Sequence, residues 1–87
     1  KQHYLNVEEV VVATSPGDYG KILQHIAQAK HDITHYHIEG GKLVLFTPKA
    51  STVIHAVLDS LHACKEELIE IDIMKPDLDA LFERATQ

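Results

Sequence analysis

Apolar side chains in this chain recur at strand spacing and then at helical spacing, twice in succession. Val7 to Ala13 is rich in β-branched residues, with Val10, Val11 and Val12 at its centre, and it breaks at Thr14-Ser15-Pro16-Gly17. Ser15 reads as a helix N-cap, Pro16 as the first helical residue and Asp18 as the acidic side chain reaching back to the cap. Tyr19, Ile22, Leu23, Ile26 and Ala29 or Lys30 then fall on one helical face, leaving Lys21, Gln24, His25 and Gln28 on the wet side. Ile33 to Glu39 alternates as a strand, Gly40-Gly41 signals a hairpin, and Lys42 to Thr47 returns. Pro48 opens a second helix with Thr47 as its cap, and Ile54, Val57, Leu58, Leu61 and Cys64 form its buried stripe. Leu68 to Met74 is a fourth strand with Ile69, Ile71 and Ile73 on one face, ended by Lys75-Pro76. Asp77 then caps a short last helix carrying Leu78, Leu81, Phe82 and Ala85 along one side.

This order predicts an α+β, ferredoxin-like β-α-β-β-α-β sandwich with an extra C-terminal helix, a single domain over residues 1–87. The two main helices cover one face of a four-stranded antiparallel sheet. With Gly40-Gly41 as the turn, Glu39 faces Lys42, Ile38 faces Leu43, His37 faces Val44, Tyr36 faces Leu45 and His35 faces Phe46. Opposed residues share a side of the sheet. Tyr36, Ile38, Leu43 and Leu45 therefore belong to the core under the helices. His35, His37, Val44 and Phe46 belong to the open face, with Val11, Leu68, Glu70 and Asp72. A solvated face is mostly polar, so the apolar members mark His35, His37, Val44 and Phe46 as an interaction surface, covered by the last helix, a second subunit or a neighbouring domain.

Composition narrows the function classes. The 87 residues hold 45% apolar side chains, enough for one modest core. A formal net charge of −5 argues against nucleic acid as a partner. No apolar run reaches membrane-spanning length, so direct membrane insertion is not expected, and no signal-peptide pattern opens the chain. The single cysteine, Cys64, fits a reducing cytoplasmic setting and excludes a disulfide framework. Opening on Lys1, the chain reads as a piece of a longer polypeptide.

Candidate chemistry is sparse. His35 and His37 project the same way from a strand, and His55, Asp59 and His62 share the outer face of the second helix. Zinc needs three or four well-placed ligands, and neither group supplies them. His3 adds nothing to either. Ser15 to Lys21 is superficially like a phosphate-cradling loop, yet it lacks the spacing and the hydroxyl residue after the lysine. Cys64 sits on a buried stripe and reads as an inert thiol. Glu8-Glu9 and Glu66-Glu67 read as solvated ends of elements. Phe46 alone is no stacking platform for RNA. No catalytic, cofactor-binding or metal-binding residue is therefore expected, and no cofactor.

The closing stretch, Ile71 to Thr86, carries the most specific pattern. It resembles the end of ABC transporter ATPases of the ABC-2 type, the drug and antibiotic exporters among them, where a strand runs into Pro-x-Leu-Glu-x-x-Phe. Pro76, Leu78, Asp79, Phe82 and Thr86 match in place, with aspartate for glutamate at Asp79. Ala85 stands where leucine is usual and Gln87 where glycine is usual. The hairpin from Ile33 to Phe46 is similar too. The resemblance implies a non-catalytic accessory domain after a nucleotide-binding domain, with a regulatory or assembly role in transport. Its partners would be the ATPase core of the same polypeptide, a second ATPase subunit and, indirectly, the membrane permease, and its place cytoplasmic and membrane-associated through that complex. A second resemblance, of Val10 to Ile38 around Ser15-Pro16-Gly17, is to amino-acid-sensing domains of the ACT type, which implies a small effector at a dimer interface.

Overall fold

The computed structural model describes residues 7–27 and 32–75. The expected last helix, with Pro76, Leu78, Asp79 and Phe82, falls outside the described residues, as do His3, Gln28, Ala29 and Lys30. The elements run β1 (Glu8–Ser15), α1 (Tyr19–His25), β2 (His35–Glu39), β3 (Lys42–Thr47), α2 (Ala50–Cys64) and β4 (Glu67–Met74). They build a four-stranded sheet in the order β2-β3-β1-β4, with every neighbouring pair antiparallel. Each β-α-β unit is split by a strand from the other, which is the ferredoxin-like α+β arrangement. No helix among the described residues is long and apolar enough to cross a membrane.

The three consecutive valines place β1 at the centre. Val10 and Val12 point into the core with Leu43 and Leu45 of β3, and Ile22, Val53 and Val57 close over them. All seven side chains are fully buried. The β2–β3 register is the one the Gly40-Gly41 turn imposes, from Glu39 opposite Lys42 to His35 opposite Phe46. Gly40 and Gly41 both hold positive φ, which suits a two-residue hairpin loop.

Five local expectations are corrected. The cap of α1 is Asp18, whose Oδ1 accepts the Lys21 N–H at 3.3 Å. Ser15 is not the cap because β1 keeps pairing with β4 as far as Ser15 opposite Glu67. The Ser15–Pro16 peptide is cis. Thr47 likewise remains the last residue of β3, its hydroxyl accepting the Lys49 N–H at 2.9 Å, and α2 starts at Ala50 without a side-chain cap. On α2 the expected Val57 and Leu61 are buried, with Ile54 and Cys64 packed half-buried against the core; Ala50, Val53 and Ser60 are buried as well, and Leu58 alone of the expected stripe is exposed. Ser60 donates to the Val57 carbonyl at 2.6 Å, so its burial leaves no polar group unpaired.

The other two corrections concern the edge strands. Tyr36 and Ile38 share a side with Leu43 and Leu45, yet they are 47% and 56% exposed. Among the described residues α1 is only seven residues long, and it leaves a groove between itself and the helix side of β2. At the opposite edge the β1–β4 register slips between Ala13 and Thr14, so Ile69 becomes an extra residue and Thr14 faces Leu68. Opposed residues share a side, so Leu68 does not join the open face.

The C-terminus of α2 closes in a Schellman turn. Lys65 takes the left-handed conformation at φ 58°, its N–H bonds to the His62 carbonyl, and the Glu66 N–H reaches back to the Leu61 carbonyl at 2.9 Å. A side chain in that conformation costs about 1 kcal/mol that glycine avoids. Lys65→Gly is therefore expected to stabilise the chain by about 0.5–1 kcal/mol in urea denaturation. A lower midpoint for the variant would contradict this reading of the turn.

Candidate functional site

Three connections meet at the end of the sheet where β1 finishes and β4 starts. They are the β1–α1 turn, the β2–β3 hairpin turn and the α2–β4 turn. The Schellman turn directs Glu66 inward, where it is buried. Its Oε1 accepts the Thr14 hydroxyl at 2.8 Å and the Gly17 N–H at 2.8 Å, and its Oε2 accepts the Asp18 N–H at 3.2 Å. Successive backbone N–H groups aimed at one point form an anion-receptive nest. Here the anion is the chain's own carboxylate. Burial alone would raise the Glu66 pKa, but the hydrogen bonds from Gly17, Thr14 and Asp18 together with the nearby Lys21 charge outweigh it, and the pKa lies below its ordinary value.

Gly17 makes the nest possible. Its φ is +87°, and a Cβ there would stand 3.3 Å from the Thr14 carbonyl oxygen. Tyr19 ties in the third connection. Its hydroxyl donates to the Gly41 carbonyl at 2.6 Å and accepts the Thr14 N–H at 3.4 Å. The expectation that Glu66 is a solvated end is thus corrected, while Glu67 beside it is exposed. The partners of Glu66 lie 48 to 52 residues away in sequence, so no local pattern announces them. A carboxylate held ionised by three donors is a poor proton carrier near neutral pH, and its chemistry here is structural.

The open face forms rows across the strands. His35, Phe46, Glu9 and Met74 lie in one row and His37, Val44, Val11 and Asp72 in the next. His35, His37, Val44 and Phe46 are thus brought together. Phe46 is only 4% exposed, with both imidazole rings centred 5.7 Å from its own, and Val44 is buried too. A partner arriving here would meet imidazoles and carboxylates more than apolar carbon. The third row contains Glu39, Lys42, Ala13 and Glu70. Lys42 bonds Glu70 at 2.8 Å. That hydrogen bond, then the Glu70 charge, raises the Lys42 pKa.

Among the described residues no three histidine, cysteine, aspartate or glutamate side chains group to hold a metal ion. His55, Asp59 and His62 are exposed along α2, and Cys64 is a half-buried free thiol packed against the core. The exposed large apolar side chains lie elsewhere than on the open face's centre. Tyr36 and Ile38 stand on β2, Leu58 on α2, and Leu68, Ile69, Ile73 and Met74 along β4. A groove of about 650 Å³ runs beside β2, lined by Leu23, Ile26, Ala27, Ile33 and Tyr36.

No family model, curated protein or solved structure matches this chain.

The lowered Glu66 pKa carries a sign. Stability from this group is fully present above the unfolded-state value near 4.5 and is lost as pH falls through the lower native value. Glu66→Gln is expected to lower the urea midpoint at neutral pH, and the gap between variant and parent chain should narrow steadily towards about pH 3. An equal gap at both pH values would contradict an ionised Glu66 in the nest.

Proposed function

We propose that this chain is a non-catalytic C-terminal regulatory and assembly domain of an ABC transporter ATPase subunit. It acts by contact with the ATPase core or with that core's dimer mate, on the cytoplasmic side of the membrane and next to the permease. The observation that carries the reading is the apolar edge along β4. Ile69 is 65% exposed, and Leu68, Ile73 and Met74 are exposed beside it. The strand leads directly into Lys75-Pro76, where the sequence resembles the closing segment of that family. Isolated exposed apolar residues need no explanation, but four on one edge strand, spread over both of its sides, are what an interdomain contact at that edge covers. The ferredoxin-like fold is the one that the resemblance implies.

The alternative is an ACT-type amino-acid sensor. Its effector would sit by the turn after β1, and in this chain Glu66 occupies the donors of that turn. The nest therefore favours the assembly reading.

The coding sequence upstream of Lys1 tests the parentage: a nucleotide-binding domain with a phosphate loop is expected, and a metabolic enzyme there would contradict it. In that parent, Ile69→Asp combined with Ile73→Asp is expected to weaken subunit assembly measured by size-exclusion chromatography, with the domain still folded. Unchanged assembly would remove β4 from the contact. A thermal-shift screen of the twenty amino acids is expected to show no ligand. A sensor at 100 times its dissociation constant gains about 2.7 kcal/mol, so a clear shift with one amino acid would favour the alternative.

A further inference from the structure

The outer edge of β2 is paired with no other strand among the described residues. Its backbone polarity follows from the hairpin. In a two-residue hairpin the closing pair exchanges both hydrogen bonds, and the pairs alternate from there. Glu39, His37 and His35 therefore direct their N–H and C=O groups to β3, while Tyr36 and Ile38 direct theirs outward. Those two residues are also the exposed apolar ones on this strand. Edge strands are usually blunted by proline, lysine or a distortion, and His35–Glu39 contains neither proline nor lysine.

The strand is also complementary to itself. Laid antiparallel about a two-fold axis at His37, Tyr36 falls opposite Ile38 of a second copy and His35 opposite Glu39. The Tyr36–Ile38 pairs are then the hydrogen-bonded ones, and all outward N–H and C=O groups of both residues are satisfied. Aromatic with β-branched and imidazole with carboxylate are favourable cross-strand pairs. Glu39 is available for this, because Lys42 opposite it turns away to Glu70. Neighbouring registers fail. An axis at Tyr36 calls on the Thr34 N–H, which already donates to the Phe46 carbonyl at 2.8 Å. An axis at Ile38 calls on Gly40, which belongs to the turn. The other edge repels itself: with the axis at Glu70, Ile71 or Asp72, two copies of β4 bring carboxylates face to face.

We propose that β2 is a homodimerisation edge, joining two copies of this chain through antiparallel β2 strands in the register centred on His37 to form a continuous eight-stranded sheet. The contact does not depend on the transporter assignment, and it uses the edge opposite to β4. Five paired residues per copy make a small interface, in the weak, reversible class.

Sedimentation equilibrium of the 87-residue chain from about 1 μM to about 1 mM tests it. A monomer–dimer equilibrium is expected. Tyr36→Pro removes an outward N–H and leaves the β3 ladder intact. By symmetry it acts twice, so the dissociation constant should rise about tenfold or more, with the far-UV circular dichroism unchanged. His35→Glu sets like charges opposite one another and should weaken the dimer, and adding Glu39→His should restore it. Rescue by that exchange requires the proposed register. A chain that stays monomeric up to about 1 mM leaves this edge to another strand donor and overturns the proposal. A dimer indifferent to Tyr36→Pro and to the His35 and Glu39 exchange overturns it as well.

Discussion

The hydrogen bonds of the Glu66 carboxylate join the two ends of the fold's chain path. Thr14, Gly17 and Asp18 belong to the first crossover, and Glu66 follows the second helix, 48 to 52 residues later. Alongside the β1–β4 ladder, that contact ties the start of β4 to the end of β1. The one-residue slip at Ala13 and Thr14 lies right beside the contact. Thr14 bonds both to Glu66 and to the Tyr19 hydroxyl, and Tyr19 in turn holds the hairpin turn through Gly41. One buried anion thus sets the geometry of three connections. Its burial is tolerable because the Thr14 hydroxyl and the Gly17 and Asp18 N–H groups all donate to it.

With that end fixed, α2 packs over β1 and reaches β4, where Ile71 lies against the core. The seven core residues that are fully buried come from β1, β3 and the helices, with none from β2 or β4. Both edge strands therefore present apolar side chains to solvent, and they do so with different chemistry. β2 carries tyrosine and isoleucine with histidines and one glutamate, and it can pair with itself. β4 carries isoleucines, leucine and methionine with three carboxylates, so it needs a partner unlike itself. A small domain with two such edges is suited to joining things, which is the function proposed for it. The centre of the open sheet face exposes little apolar carbon, because Val44 and Phe46 are buried, the imidazoles of His35 and His37 pack beside Phe46, and Lys42 pairs with Glu70.

The fold was legible wherever a local pattern decided it. The valines of β1, the alternation of β2 and β3 and the glycine pair gave the element order and the hairpin register residue by residue. Element starts were less legible. Ser15 and Thr47 are good caps by type, but strand pairing claimed both before a helix could begin. The exposure of Tyr36 and Ile38 depends on how far α1 extends over the sheet, which is a tertiary property that no alternation pattern contains. The nest was hidden for a similar reason. A strand followed by Pro-Gly and a helix advertises a turn, yet nothing near Glu66 in sequence says that its carboxylate will fill it. Lys65 in a left-handed conformation is the device that turns Glu66 inward, and lysine does not announce that conformation as glycine would.

The central claim is that Glu66 is an internal ligand of the β1–α1 turn. Titration of its side-chain carboxyl carbon by nuclear magnetic resonance in the intact chain tests this most directly. The midpoint is expected below the ordinary value of 4.5, with the amide protons of Gly17 and Asp18 moving at the same midpoint because they donate to the ionised form. A midpoint at or above 4.5, with those two amides unmoved through it, would contradict the account.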